Sequence, residues 1–418
     1  MAFGARGTGS LSSRTVAWWL VVVGGLAFVL LAAFLVPWQP VPGGAPDPVS
    51  AESVFSKAEI RRAEDYAHAT RLLSWSALAV SLLVACLLGF TARGGRLLGS
   101  RRLPWALTVV ALSAVVLAIG RVATLPFALL LRHERLENGL TRQGLGPWAV
   151  DQVKSLGVAV VVTSLALLVL IGCARRWRTW WPAVAAGLSA ALVVIGSFLY
   201  PLLVEPVFNN FEPMPDGSLR NQIFELADAE GVSIDDVLVA DASRRTTTIN
   251  AYVSGFGDTR RVVVYDNLVE SLPEDQALSV VAHELAHARH DDVAVGTALG
   301  AAGAVFAVGL AGLVVGSRGV RRRAGVGGMA DPRVVALVLA LTALGGLASA
   351  PVQNAVSRRI ETRADVDALR ATNNPEAFAE MQRGLAIRSL ADPTPPPLAH
   401  LWFGSHPTVL ERVALSLK

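Results

Sequence analysis

The stretch Val280-Val281-Ala282-His283-Glu284-Leu285-Ala286-His287-Ala288-Arg289-His290 organises the reading of this 418-residue chain. His283 and His287 stand four residues apart. On a helix that spacing puts both imidazoles on one face, where they can share a metal ion. Glu284, one residue round from His283, can reach a water on that ion and take its proton. The flanking residues suit a helix. Ser271 and Glu274 have the spacing of a capping box, Pro273 falls in the first turn, and Ala277, Val281, Leu285 and Ala288 form a small apolar stripe. Two surface histidines would give the same letters, but the chain holds only 7 His, so chance matches are rare. A zinc ion needs a third protein ligand as well.

Composition decides where such a helix sits. The chain is 53% hydrophobic and 17% charged, with a mean hydropathy of +0.48. That is too apolar for a soluble protein and predicts several membrane spans. The net charge of +4 is small. The basic residues gather in short clusters beside apolar runs, which suits membrane flanks and not a nucleic-acid surface. Cys86 and Cys173 both lie inside apolar runs and read as small hydrophobes, with no disulfide framework and no cysteine zinc site.

Arg6 and Arg14 precede an apolar run from Val16 to Val36. The run is longer than a signal-peptide core and lacks a small-residue cleavage site, so it reads as the first span. Further spans are predicted at Leu72–Phe90, Trp105–Leu131, Leu156–Cys173, Trp181–Val204, Val293–Val315 and Val334–Val352, giving seven. Trp18, Trp19, Trp38, Trp105, Trp180 and Trp181 sit at run ends, as an aromatic belt requires. The third run is interrupted by Arg121 and Pro126. It reads either as a span ending near Gly120 with an interfacial segment after it, or as a long helix with Arg121 toward a polar cavity.

These runs divide the chain into 1–204, with five membrane helices and their loops; 205–292, the first part of a catalytic domain; 293–352, the sixth and seventh helices; and 353–418, the second part. The expected fold is an α-helical polytopic membrane protein carrying a small α+β domain around the His-Glu-x-x-His helix. In 205–292, Ser218 is positioned to cap a helix ending near Gly231. Val237–Ala240, Ile249–Val253 and Arg261–Tyr265 read as strands, the last two joined through Ser254-Gly255-Phe256-Gly257. An exposed edge strand there could bind an extended peptide by strand addition, or could be a plain structural hairpin.

The stretch Ser357-Arg358-Arg359-Ile360-Glu361-Thr362-Arg363-Ala364-Asp365 offers the missing ligand. A carboxylate from a second helix is one standard way to complete a two-histidine zinc site, and Glu361 is the candidate. Asp365, one turn later, could hydrogen-bond a ligand histidine. The same letters also fit a plain charged helix. A third histidine six residues beyond His287 is excluded, because that position is Val293. His290 is left as a substitute ligand with awkward spacing.

In this order, the motifs resemble those of the type I CAAX prenyl proteases, seven-span zinc metalloproteases of the gluzincin type. The resemblance runs over most of the chain. It rests on Phe208-Asn209-Asn210-Phe211, on Asn250-Ala251-Tyr252 with Gly255-Phe256-Gly257, and on the His-Glu-x-x-His helix. It also takes in Ser357-Arg358-Arg359 with Glu361, Ala364-Asp365, His406-Pro407 with Arg412, and the loop Glu137–Ser155 with Asp151 and Lys154. Ala286 stands where the family commonly has glycine.

The resemblance implies one Zn²⁺ per chain on His283, His287 and Glu361, with Glu284 as the base. It implies that Asp365 and Arg412 support the site and that His406 donates to the oxyanion. It further implies that Asn250, Ala251 and Tyr252 lie on the substrate-binding edge, and that the seven helices enclose a water-filled chamber capped by the catalytic domain. The expected partners are a peptide or protein substrate, membrane-associated or not, and the lipid bilayer. The rival readings are a membrane quality-control protease like HtpX, which has fewer spans before its motif, and a non-catalytic zinc-binding transporter or scaffold.

A multi-pass cell-membrane protein follows, but its orientation is pulled two ways. Family resemblance implies a cytoplasmic site. The short loops opposite the catalytic pieces carry Arg93, Arg96, Arg101 and Arg102, then Arg175, Arg176 and Arg178, then Arg318, Arg321, Arg322, Arg323 and Arg333. By the positive-inside rule those loops are cytoplasmic and the site is extracytoplasmic.

Overall fold

The computed structural model describes residues 12–97, 103–255 and 257–418. Arg6, Arg101, Arg102 and Phe256 lie outside the described residues. Seven helices in the described residues are long and apolar enough to cross a membrane. The first five are α1 (Ser13–Leu35), α2 (Lys57–Gly89), α3 (Trp105–Glu137), α4 (Leu145–Arg176) and α5 (Trp181–Leu203). The catalytic part follows with β1 (Phe211–Pro213), α6 (Ser218–Ala229), β2 (Asp236–Ala240), β3 (Ala251–Ser254), β4 (Arg261–Tyr265) and α7 (Glu274–Arg289). The last two membrane helices are α8 (Asp292–Gly316) and α9 (Val335–Thr372), and the chain closes with α10 (Pro375–Ser389) and α11 (Val409–Leu415).

Helix α3 has 33 residues. At 1.5 Å per residue that is about 50 Å, well beyond the ~30 Å of hydrocarbon. It runs unbroken through Arg121 and Pro126, so no interfacial segment begins at Gly120. Its far end reaches the catalytic domain, where Thr247 N donates to Leu140 O at 3.2 Å. Thr141 Oγ1 donates to Arg245 O at 2.7 Å, and Lys154 Nζ to Val207 O at 2.8 Å.

Small residues set the closest helix contacts. A Cβ on Gly24 of α1 would lie 2.6 Å from Phe306 N of α8, and one on Gly309 would lie 2.8 Å from Ala17 O. In lipid, where apolar contact alone does not favour association, such backbone approach is what packs one helix on another. The main membrane core gathers Val109, Leu112, Leu167, Ile171, Trp181, Ala185, Val335, Leu337 and Val338 with Met329 of the 317–334 linker. All lie at the end of the bundle remote from the catalytic domain. Above that end the buried positions of α3, α4 and α5 stop, and a Cβ on Gly120, Gly157, Gly196 or Gly303 would meet nothing within 4 Å.

The sheet has the order β1-β2-β4-β3, with β2 and β4 parallel and the outer pairs antiparallel. Val237, Val262, Val264 and Ala251 face α7, burying with Ala277, Val281 and Leu285. Two helix starts differ from the sequence expectation. Ser271 ends the preceding short helix Asp266–Ser271, and α7 begins behind Pro273 with no side-chain cap. Glu274 instead accepts from Ser218 Oγ at 3.0 Å, so Ser218 bridges two helices and Gly217 is the N-cap of α6. Ser218 is drawn off by this tertiary contact, whereas Ser271 Oγ donates back to Asn267 O within its own helix. The third strand starts at Ala251, one residue past Asn250, and the short strand β1 was not foreseen.

Candidate active site

The two histidines of the His-Glu-x-x-His motif arise on a helix whose inner face is fully sequestered: Val281, Ala282, Leu285 and Ala286 are buried beneath the sheet and α9. His283 and His287, four apart, are thereby turned to one side, with ring centroids 4.8 Å apart and Nε2 atoms 3.2 Å apart. Helix α9 passes beside them and carries Glu361 inward from the membrane. Its Oε2 lies 3.3 Å from His283 Nε2 and its Oε1 lies 3.7 Å from His287 Nε2. One donor atom each from His283, His287 and Glu361 lies within 4.8 Å of the others. Glu361 Oε2 is buried without a hydrogen-bond partner. Two imidazole nitrogens and a carboxylate with an unsatisfied buried oxygen form a donor set that fits a divalent transition metal, zinc above all.

Each histidine is held from behind by a carboxylate, and each carboxylate by an arginine. His283 Nδ1 lies 2.9 Å from Asp365 Oδ1. Asp365 is fully buried and receives two guanidinium bonds from Arg412, Nε at 2.8 Å and Nη2 at 2.5 Å. His287 Nδ1 lies 2.9 Å from Asp292 Oδ2, and Asp292 Oδ1 takes Arg363 Nη2. Asp292 is the first residue of α8, reached through Asp291, which sits in the left-handed region at φ 50°. Sequence reading missed Asp292 and Arg363. The only signal was an acid five residues after His287, and that needs the sharp left-handed exit from α7 to become meaningful. His290 turns away and meets Asp367 Oδ2 at 2.7 Å, so it takes no part in the donor set.

Glu284 lies among these charges. Burial pushes its carboxyl above the usual range, while the positive charge available on His283 and His287 draws it back. Burial also disfavours charge on His283, yet the Asp365 carboxylate that accepts from Nδ1–H and the Glu361 carboxylate beside Nε2 outweigh it and raise its pKa to about 10. His406, on the loop before α11, brings Nε2 to 3.3 Å from Glu361 Oε2 and Nδ1 to 2.9 Å from Ser405 Oγ. Arg358 of α9 fixes that loop by donating from Nη1 to Gly404 O at 2.5 Å.

Among the described residues strand β3 pairs only with β4, leaving its other edge open. Tyr265 N donates to Asn250 O at 3.0 Å. Antiparallel alternation then turns the backbone of Asn250 and Tyr252 toward β4 and that of Ala251 and Val253 toward the open edge. Asn250 itself is exposed, and Tyr252 bonds Glu205 Oε2 at 3.2 Å, tying the strand to the end of the fifth span. Gly255 at φ +96° makes the turn, where a Cβ would collide with Thr259 O.

Residues 213–416 match Peptidase family M48, and residues 45–210 match the CAAX prenyl protease N-terminal family of five membrane helices. The chain is 29% identical over 306 residues to an uncharacterized metalloprotease of Bacillus subtilis, YhfN, covering 72% of this chain and 71% of that one. It is 29% identical over 183 residues to a CAAX prenyl protease 1 homolog of Oryza sativa, a match that spans 43% of each chain. The crystal structure of S. mikatae Ste24p superposes with a TM-score of 0.75 at 21% identity, over 96% of this chain and 97% of that one, and shares the fold. The two family matches adjoin and together span nearly the whole chain, around a cluster of His283, His287 and Glu361 suited to a metal ion and borne partly on a membrane helix: the chain belongs to the CAAX prenyl protease family of M48 membrane metalloendopeptidases.

Proposed function

We propose that this protein is a zinc endopeptidase that cleaves extended peptides delivered from or beside the bilayer. The observation that carries this reading is the convergence of His283, His287 and Glu361 on one point, with Glu284 beside it. A zinc ion held by those three residues would lower the pKa of its bound water and polarise the scissile carbonyl. Glu284 accepts the proton of the attacking water and returns it to the leaving amine. In the tautomer where Ser405 Oγ donates to His406 Nδ1, Nε2–H is left to donate toward the developing oxyanion. The peptide adds to the open edge of β3 through the N–H and C=O groups of Ala251 and Val253, with the Asn250 side chain at its flank. Asp365 with Arg412 and Asp292 with Arg363 keep the two imidazoles in register.

The catalytic unit in this reading comprises 205–292 and 353–418, inserted around two spans at 293–352 and carried by 1–204, although the boundary at 353 falls inside α9. The hollow upper half of the bundle is a water-filled chamber through which substrate reaches the site. The match to the five-helix N-terminal family favours this type over the HtpX-like alternative. The arginine-rich linkers favour an extracytoplasmic site in the cell membrane.

The test is metal content and cleavage together. Purified protein should contain about one zinc per chain, lose peptide cleavage to a chelator and regain it with zinc. Glu361→Ala should lose most of its zinc and Glu361→Asp should keep part of it. Full occupancy in the alanine variant would refute the ligand set.

A further inference from the structure

At the end of the bundle remote from the active site, the linker between α8 and α9 does more than connect two spans. Residues 318–324 form a short helix, and Ala324, Val326 and Met329 are buried against the membrane core. The linker is therefore a folded plug over the closed end. Between it and the ends of α4 and α5 lies an open cavity of about 740 Å³ whose lining includes Arg175, Arg178 and Arg321, with Trp181 and Met329 as its apolar part.

Two of these arginines are held in place by backbone carbonyls and keep donors spare. Arg175 Nη1 donates to Ala330 O at 3.1 Å, and its guanidinium lies 5.3 Å from the centre of the Trp105 ring. Arg321 Nη1 donates to Gly327 O at 3.1 Å, while its Nε is buried with no partner. Arg178 makes no hydrogen bond among the described residues. Among the described residues no carboxylate lines the cavity. Asp331, the nearest acid in the linker, is taken by Arg333 at 2.8 Å and by Gly327 N at 2.7 Å. Three guanidiniums, those of exposed Arg175 and Arg178 and of part-buried Arg321 with its unsatisfied buried Nε, thus line one cavity, and an anion seated there would take up their spare donors.

The depth of the cavity selects the anion. Trp105 and Trp181 begin their helices beside it, Trp180 is exposed, and exposed Leu107 and Leu188 continue along the same helices toward the bilayer. That is the level of lipid headgroups, with acyl-chain surface directly adjoining. We propose that Arg175, Arg178 and Arg321 form a binding site for the phosphate of an anionic phospholipid, which seats the linker plug on the membrane surface opposite the catalytic domain. Arg178 and Arg321 grip the phosphate oxygens, Arg175 is oriented by Trp105, and the acyl chains lie over Leu107 and Leu188. The site stands independently of the peptidase reading.

Full-length protein in detergent micelles would be titrated with phosphatidylglycerol, phosphatidylcholine or inorganic phosphate, and followed by native mass spectrometry and by the unfolding midpoint. Phosphatidylglycerol should remain bound and raise the midpoint, and phosphatidylcholine should do neither. Removing a guanidinium should weaken phosphatidylglycerol binding about fivefold per arginine in the Arg175→Gln and Arg321→Gln variants. Arg178→Glu, at a position with no hydrogen bond to disturb, should weaken it further, and Arg322→Glu, exposed and outside the cavity, should leave it unchanged. Equal binding of the two lipids, or undiminished phosphatidylglycerol binding by Arg178→Glu, would overturn the proposal. So would inorganic phosphate that reproduces the full shift, because the site would then belong to a soluble anion.

Discussion

Replacing Arg412 with methionine should damage stability and metal affinity together, because one guanidinium neutralises a carboxylate that has no other strong partner except the ligand it orients. Asp365 has 0% exposure and takes both its arginine bonds from Arg412, at 2.8 and 2.5 Å. Methionine fills much of the same volume but leaves the carboxylate against His283 alone. Breaking a buried ion pair by deleting one member costs about 3–5 kcal/mol. That is a large part of the ~5–15 kcal/mol that commonly separates folded from unfolded protein. Loss of a group that orients a metal ligand lowers affinity roughly 10–100-fold. Thermal unfolding in detergent, with and without zinc, reads the first effect, and competition against a chromogenic chelator reads the second. The double variant Asp365→Asn/Arg412→Met removes the stranded charge, so it should unfold later than Arg412→Met alone, although its zinc affinity stays low. A single variant with stability within about 0.5 kcal/mol of the parent and unchanged zinc affinity would refute the reasoning, since surface substitutions commonly stay within that range.

Asp292→Asn should act on the other histidine. It weakens zinc binding roughly 10–100-fold while Arg363 keeps a neutral acceptor; unchanged chelator competition would show that His287 needs no orienting partner. Orientation is read by single-cysteine labelling in a Cys86→Ala, Cys173→Ala background. An extracytoplasmic site predicts that an impermeant maleimide labels Ser416→Cys on intact cells and misses Ser317→Cys, and the reverse pattern would contradict it.

The spans and the helix of the His-Glu-x-x-His motif were legible because each rests on one strong local signal. Val16–Val36 is a continuous apolar run, and His283 with His287 has a spacing that only a helix turns into a site. What was not legible depends on where separate elements meet. Ser271 and Ser218 both look like caps, but Ser271 ends the helix before α7 and Ser218 reaches across to Glu274, so the local preference lost to a tertiary contact. Asp292 reads as the charged start of a membrane helix until the left-handed turn at Asp291 folds it back on His287. Arg178 and Arg321 are 143 positions apart in a chain whose charge clusters look like ordinary membrane flanks, and only the folded linker brings them to one cavity. The run from Val334 to Val352 was visible as a span, whereas its unbroken continuation to Thr372, which carries Glu361 to His283 and His287, was not.

The proposed chemistry needs Glu284 to act as a base beside the metal without holding it. Glu284→Gln tests that directly when zinc content and peptide turnover are measured on the same preparation. The variant should keep about one zinc per chain and lose roughly 10²–10⁴ in turnover, the usual contribution of a positioned proton acceptor. Near-normal turnover, or loss of zinc along with activity, would contradict the assignment.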